Sequence, residues 1–220
     1  MNMAAPPRNA STEPTERQQA VLDAVLSLMV EQGGDFSVSD IARRASCSKE
    51  TLYKWFGDRD GILAATVQWQ ASQVRTGNWD AQKLDASALR QSLEGFAVAW
   101  LSVISSPTSI ALNRVGVGQA ASPANDLGRI VLANGRFAIG ERIKPLLDAA
   151  RSRGLLAFDD TEIAFRTFFG LVGRDVQIRL LLGDALKLSK AEIAGDARRA
   201  TDQFFTLFGA AKAESGINQT

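Results

Sequence analysis

The sequence predicts an all-α chain of about nine helices, arranged as a three-helix N-terminal domain followed by a larger helical C-terminal domain. Three observations lead to this fold class. Apolar residues recur at the three-to-four spacing of a helix, as at Val21, Val25 and Leu28. Capping boxes such as Thr15 with Gln18 begin several of these stretches. No segment combines alternating polarity with the turn residues of a β-hairpin.

Four helices are predicted in the first third of the chain. The first begins at the Thr15 box, and the second begins at a box formed by Ser37 and Asp40. Ser48 and Asp58 are suited to cap the third and fourth helices. The expected spans are about 15–32, 37–45, 49–56 and 58–74.

Five longer helices are predicted after a polar connection. Asp159 with Glu162, and Ser189 with Glu192, are the expected caps of the last two helices, and Pro145 is expected to kink the middle one. The expected spans are about 86–105, 108–121, 125–153, 160–182 and 190–212.

The composition argues against most enzyme chemistry. The 220-residue chain has no histidine and a single cysteine, Cys47, so histidine-dependent triads, internal disulfides and most zinc sites are excluded. We therefore expect no enzyme activity, no cofactor and no metal. Apolar runs such as Phe96–Ala99 are too short to span a membrane, and residues 1–14 lack the apolar core of a signal peptide. A cytoplasmic protein with no membrane partner is expected.

The most informative segment is a helix-turn-helix motif at about residues 36–56. Leu52 and Phe56 should pack against Ile41 of the preceding helix, which leaves a polar face on the third helix. That face offers lysines, hydroxyls and a carboxylate, which suit phosphates and base edges in a DNA groove. Its residues are Lys49, Glu50, Thr51, Tyr53 and Lys54.

The stretch from Val21 to Thr66 resembles the N-terminal domain of the TetR family of repressors. The resemblance lies in V-S-D-I-A of the second helix, S-K-E-T-L-Y of the third, and F-G-D-R-D at its exit. The stretches NGRFAIGERIKPLLDAARSRGLLAFDD and AFRTFFGLVGRDVQIRLLLG resemble the C-terminal domain of AefR-like members. The sequence departs from the family in the turn, where Ser46 and Cys47 replace the usual glycine and branched apolar residue.

The resemblance implies a dimeric regulator that binds double-stranded DNA at a palindromic operator and responds to a small apolar or amphipathic effector. Thr51, Tyr53 and Lys54 would contact phosphates or base edges, and Lys49 is the candidate for reading guanine. Ser39 and Arg59 would add phosphate contacts. Repression relieved by the effector is the usual direction in the family.

An effector cavity is expected among the aromatic residues of the second half, together with an arginine that could meet an anionic ligand. The candidate lining residues are Phe96, Trp100, Arg114, Phe137, Phe165 and Phe169. Arg174 could serve the same purpose, with Asp175 as its alternative partner.

A homodimer interface is expected on the last two helices, because each is apolar on more than one face. The candidate interface residues are Phe168, Leu171, Ile178, Ala197, Phe204 and Phe208.

The expected organisation is a disordered arm at 1–14, the DNA-binding domain at 15–60, a connecting helix at 61–75 and the sensing and dimerisation domain at 76–214. Two other classes remain open: a helical binding module without DNA, and an all-α enzyme that uses Asp159 with Asp160. A redox switch at Cys47 and a dinucleotide site at the G-x-G-x-x-A segment 116–121 are weaker alternatives. A dinucleotide site needs a helix directly after the glycines, and Pro123 interrupts that helix.

Overall fold

In the computed structural model, residues 13–120 and 127–210 are described, and their regular structure is helical throughout. The one β-type pairing within these ranges is an isolated antiparallel bridge between Leu156 and Gly209. The predicted all-α class is therefore confirmed. Most of the predicted arm at 1–14, the end of the predicted last domain and Pro123 lie outside the described residues.

The helices in chain order are α1 (Glu16–Gln32), α2 (Val38–Arg44), α3 (Lys49–Phe56), α4 (Arg59–Ser72), α5 (Ala86–Ile104), α6 (Pro107–Gln119), α7 (Leu127–Val131), α8 (Ala138–Ser152), α9 (Thr161–Gly173), α10 (Val176–Leu181) and α11 (Lys190–Phe208). A π-helical segment, Leu132–Phe137, joins α7 to α8. We call α1–α3 the head and α5–α11 the body; α4 connects them.

Three capping boxes form as the sequence predicts, and each satisfies backbone N–H groups at the start of its helix. They pair Thr15 with Gln18 at α1, Ser37 with Asp40 at α2, and Ser189 with Glu192 at α11. The predicted cap at Asp159 is wrong by one residue. Asp160 caps α9 instead, accepting from the backbone N–H groups of Glu162 and Ile163.

The single helix predicted at 160–182 is broken into α9 and α10. Arg174 lies at the break with φ of 40°, a left-handed conformation that ends a helix. The described residues therefore form ten uninterrupted helical stretches, one more than the nine predicted. The Arg174 side chain binds Asp196 on α11 at 2.6 Å, and the predicted partner Asp175 is not the one it uses.

The stretch 127–152 is continuously helical, and Pro145 lies inside α8 without ending it. The irregularity lies earlier, in the π-helical segment, where one turn is widened. Segments of this kind are rare and often occur at functional sites.

Buried side chains form two clusters. The body cluster includes the fully buried rings Phe96, Phe165, Phe168 and Phe204. The head cluster contains residues from α1–α4, but also Leu112 of α6 and residues of α7. Two body helices thus complete the core of the head. Because packed side chains transmit displacements, a movement of these helices would shift the head.

No single helix in the described ranges has both the length and the hydropathy required to cross a membrane. Helices α5 and α6 meet the requirement only when they are taken together, and the chain bends by 65° between them.

Candidate nucleic-acid interface and effector cavity

The turn between α2 and α3 depends on one left-handed residue. Ser46 has φ of 50°, a left-handed conformation that glycine adopts without strain. The Cys47 N–H donates to the Ala42 carbonyl at 3.0 Å, which closes the turn. The Cys47 side chain is partly buried against the head core, and this burial raises the pKa of its thiol. Its packing is that of a small apolar side chain, which argues against the redox-switch alternative.

Helix α3 is fixed at both ends and along its inner face. Leu52 is fully buried, and the Ser48 hydroxyl accepts from the Thr51 backbone N–H at 3.2 Å. At the other end Gly57 has φ of 89°, which stops the helix. The sequence analysis missed Gly61, where a Cβ would stand 1.9 Å from the Phe56 carbonyl oxygen. Only glycine allows α4 to begin so close behind α3.

Most of the predicted DNA-contact residues are exposed. Lys49, Tyr53 and Lys54 lie on the open side of α3, with Tyr53 46% exposed, and Ser39 is exposed near the start of α2. Thr51 is partly buried, and its hydroxyl lies 3.2 Å from that of Ser48. Arg59, at the first position of α4, is also partly buried.

Charge on the head is divided between paired and unpaired groups. Arg44 makes two hydrogen bonds to Glu31 of α1, at 2.9 and 2.5 Å, and Arg43 pairs with Asp40 at 2.7 Å. In the described part of the chain, Lys49, Lys54 and Arg59 form no ion pair. The positive charge available to a polyanion therefore lies on α3 and on the start of α4 rather than at the end of α2.

The N-terminus of α3 already carries a carboxylate. Hydrogen bonds from the Glu50 backbone N–H and the Ser48 hydroxyl lower the pKa of Glu50, so its side chain is ionised at neutral pH. This negative charge occupies the end of the helix where the macrodipole would otherwise favour a phosphate. The exposed side chains of α3 that could donate to an anion are Lys49, Tyr53 and Lys54.

A cavity of about 190 Å³ lies between α4, α5, α6 and the π-helical segment. Two of the six predicted lining residues, Trp100 and Phe169, form its wall. Phe96 and Phe165 are buried behind that wall in the aromatic core. Phe137 is 53% exposed and does not line the cavity, so its prediction is corrected.

Arg114 is also corrected as a cavity residue. Its guanidinium donates to the carbonyl oxygens of Leu180 and Leu181, at 2.8 and 3.1 Å, and so caps the end of α10. The arginine that lines the cavity is Arg136, in the π-helical segment. Sequence reasoning missed Arg136, because regular helical periodicity does not describe a π turn.

The predicted dimer residues divide by burial. Phe168, Ala197 and Phe204 are fully buried within the monomer, so they offer no surface to a second chain and the prediction for them is corrected. Leu171 and Phe208 are partly buried, and Ile178 is 54% exposed. Exposed apolar side chains that the prediction omitted are Ile163 on α9 and Leu207 on α11.

Two helices connect the cavity to the head. Val67, Gln70 and Ala71 of α4 line the cavity, and the same helix begins directly after α3. Helix α6 supplies Asn113 to the cavity, and two residues further along the same helix Val115 packs against Gly34, which follows α1.

Two family models match the two parts of the chain. A model described as bacterial regulatory proteins of the tetR family matches residues 21–66, and one described as the C-terminal domain of AefR-like transcriptional repressors matches residues 91–210. A TetR transcriptional regulator from Agrobacterium tumefaciens is 42% identical, covering 92% of this chain and 99% of its own, with a TM-score of 0.78.

More distant solved structures share the fold. A putative TetR-family regulator from Mesorhizobium loti is 22% identical, covers 90% of this chain and 100% of its own, and has a TM-score of 0.69. The flavonoid-responsive regulator FrrA is 23% identical, covers 89% and 98%, and has a TM-score of 0.64. A search of curated protein sequences gave no significant match.

Proposed function

This chain belongs to the TetR family of transcriptional regulators, and from that membership we propose that it is a repressor that binds a palindromic operator as a homodimer and is released by a small apolar or amphipathic effector. Family members are DNA-binding regulators and not enzymes, and they usually form homodimers. Because its target is chromosomal DNA, the protein would act in the cytoplasm. We retain the division into a DNA-binding domain at 15–60, a connecting helix at 61–75 and a sensing and dimerisation domain at 76–214.

The observation that carries the proposal is the exposed face of α3. A short helix fits the major groove, and this one presents two lysines and a phenol that are not engaged by carboxylates within the described chain. Lys49 leads the helix and would reach guanine O6 or N7. Tyr53 and Lys54 would bind phosphate, with Ser39, Thr51 and Arg59 as further contacts.

The dimer would form through the last helices of the body. Ile163, Ile178 and Leu207 are large apolar side chains exposed on α9, α10 and α11. Exposed side chains of this size cost free energy in water, and two-fold pairing of these helices would bury them. Leu171 and Phe208, which are partly buried, would complete the contact.

Control by an effector would act through α4 and α6, which line the cavity and also contact the head. In a two-fold dimer the two α3 helices must lie about 34–36 Å apart to enter successive major grooves. A ligand in the cavity touches α4 and α6, which also support the head. If it fits only a conformation with another spacing, it shifts the population away from the DNA-competent state. That the regulator FrrA is by its name flavonoid-responsive is consistent with small-molecule control.

Selection of bound fragments from a random duplex pool tests the proposal. The purified full chain is incubated with the pool at a stated salt concentration, because phosphate contacts make affinity strongly salt-dependent. Enrichment of a palindrome whose half-sites are one helical turn apart is the expected result. Absence of enrichment at low salt, with the folded protein, would contradict it and favour a binding module without DNA.

A further inference from the structure

The cavity wall contains a buried hydrogen-bond donor without an acceptor. Trp100 is 2% exposed, and its indole Nε1 has no hydrogen-bond partner within the described residues. An indole N–H can only donate, and leaving it unpaired away from water costs free energy. The Trp100 side chain lines the cavity, so a ligand held there is the candidate source of the missing acceptor.

The same cavity contains a cation that no carboxylate neutralises. The guanidinium of Arg136 stacks over the rings of Phe165 and Phe169, 5.2 and 4.7 Å from their centroids. It donates no hydrogen bond to any residue that the structure describes. Arg114, by contrast, already donates to two backbone carbonyls, so Arg136 is the guanidinium left for a ligand.

The two donors belong to one site, because Trp100 and Arg136 both contact the ring of Phe169. The remaining polar lining is uncharged, and includes Gln70 and Asn113. The described lining contains no Asp, Glu or Lys. The site therefore carries a net positive charge, which favours an anion and disfavours a cation.

The volume indicates what size of ligand fits inside the cavity. A dry apolar cavity of about 150 Å³ holds benzene, whereas drug-sized ligands occupy roughly 300–1,000 Å³. A cavity of about 190 Å³ therefore holds one six-membered ring with a short substituent. The apolar side chains of Val67, Leu112 and Ile139 suit the faces of such a ring.

We propose that the cavity takes a single-ring aromatic carboxylate, whose carboxylate pairs with the Arg136 guanidinium and accepts a hydrogen bond from Trp100 Nε1. This inference rests on the proposed effector function and specifies the chemistry of the effector. A guanidinium and a carboxylate match in a two-pronged geometry that a neutral amide does not reproduce.

The test compares sodium benzoate with benzamide, its neutral analogue of nearly the same shape. Both are titrated by calorimetry into the full chain, without DNA. Benzoate is expected to bind at millimolar concentration, at least about tenfold more tightly than benzamide, because only benzoate gains the charge-assisted bonds. Equal binding of the two probes, or binding of neither, would overturn the proposal.

Three variants locate the contact. Arg136→Gln should remove the preference for benzoate while leaving benzamide binding unchanged, and Trp100→Phe should weaken benzoate binding while keeping an aromatic wall. Arg151→Gln is the matched control, since Arg151 also stacks on a phenylalanine, Phe158, at 5.4 Å but does not line the cavity. Unchanged selectivity in Arg136→Gln would overturn the proposal even if Trp100→Phe failed to fold.

Operator binding of the same preparations is measured in parallel. If the protein binds an operator but does not prefer benzoate to benzamide, the proposed ligand chemistry alone is refuted. If it prefers benzoate but binds no operator, the proposed regulatory function is refuted and the anion-binding site remains supported.

Discussion

Gly34 lies against Val115 so closely that a Cβ at position 34 would stand 2.9 Å from Val115 Cγ1. The same Cβ would lie 3.0 Å from Gln119 Nε2. Gly34 follows α1 in the head, and both neighbours belong to α6 of the body. The contact therefore sets how closely the body approaches the head, two residues beyond the cavity residue Asn113.

Replacing Gly34 by alanine should shift α6 relative to the head. Side chains that meet a Cβ at this distance must move, and overpacking of this kind costs about 1–3 kcal/mol. We expect a lower melting temperature and a change in operator affinity of at least about threefold, measured by fluorescence anisotropy. Gly95→Ala is the control, because a Cβ at Gly95 meets nothing within 4 Å.

The double variant Gly34→Ala with Val115→Ala separates the contact from other effects. If the clash is the cause, removing the Val115 methyl groups should restore part of the operator affinity. In a double-mutant cycle the effects of the two substitutions on the free energy of binding should then be non-additive. Additive effects would show that the contact between head and body does not transmit the change.

Replacing Ser46 by glycine should stabilise the protein. A left-handed residue with a Cβ costs about 1–2 kcal/mol of strain, which glycine relieves. Part of this gain in stability is lost, because glycine has greater conformational freedom in the unfolded chain. The expected gain of about 0.5–1 kcal/mol corresponds to a rise in melting temperature of about 1–4 °C for a chain of this size. Ser48→Gly, which removes the α3 cap, should change stability in the opposite direction. A fall in melting temperature for Ser46→Gly would contradict the assignment of strain to this turn.

The thiol of Cys47 should react slowly. Because burial raises its pKa, less thiolate is present at a given pH than for an ordinary cysteine, and the reaction with iodoacetamide should reach its half-maximal rate at a higher pH. The chain unfolded in denaturant serves as the control and should react at the ordinary rate. A folded-state rate above that of the unfolded chain would revive the redox-switch alternative.

The sequence predicted most of the head, because its signals are local. Capping boxes, the glycine at position 57 and the apolar spacing of α1 act over a few residues, and the structure realises them. The close approach of Gly61 to Phe56 was not foreseen, since nothing in the sequence indicates how near two helices will lie.

The body was predicted less completely, since its details depend on packing. Periodicity identified Phe168 and Phe204 as apolar but could not decide between a monomer core and an interface, and both are core residues. It also gave no indication of the π-helical segment that brings Arg136 to the cavity, or of the left-handed break at Arg174. The burial of the two rings and the pairing of Arg174 with Asp196 depend on contacts between elements distant in the chain.

Binding of DNA through the exposed face of α3 is tested by the affinity of α3 variants for the selected operator. Lys54→Ala and Tyr53→Phe each remove one donor from the exposed face of α3, and Lys187→Ala removes an exposed lysine from the loop between α10 and α11. The first two variants should weaken binding about threefold to tenfold without changing the oligomeric state in light scattering, and Lys187→Ala should have no effect. For Lys54→Ala the salt dependence of affinity should also become less steep, as for a lost phosphate contact. Unchanged operator affinity in both α3 variants would contradict the placement of the DNA-binding face on this helix.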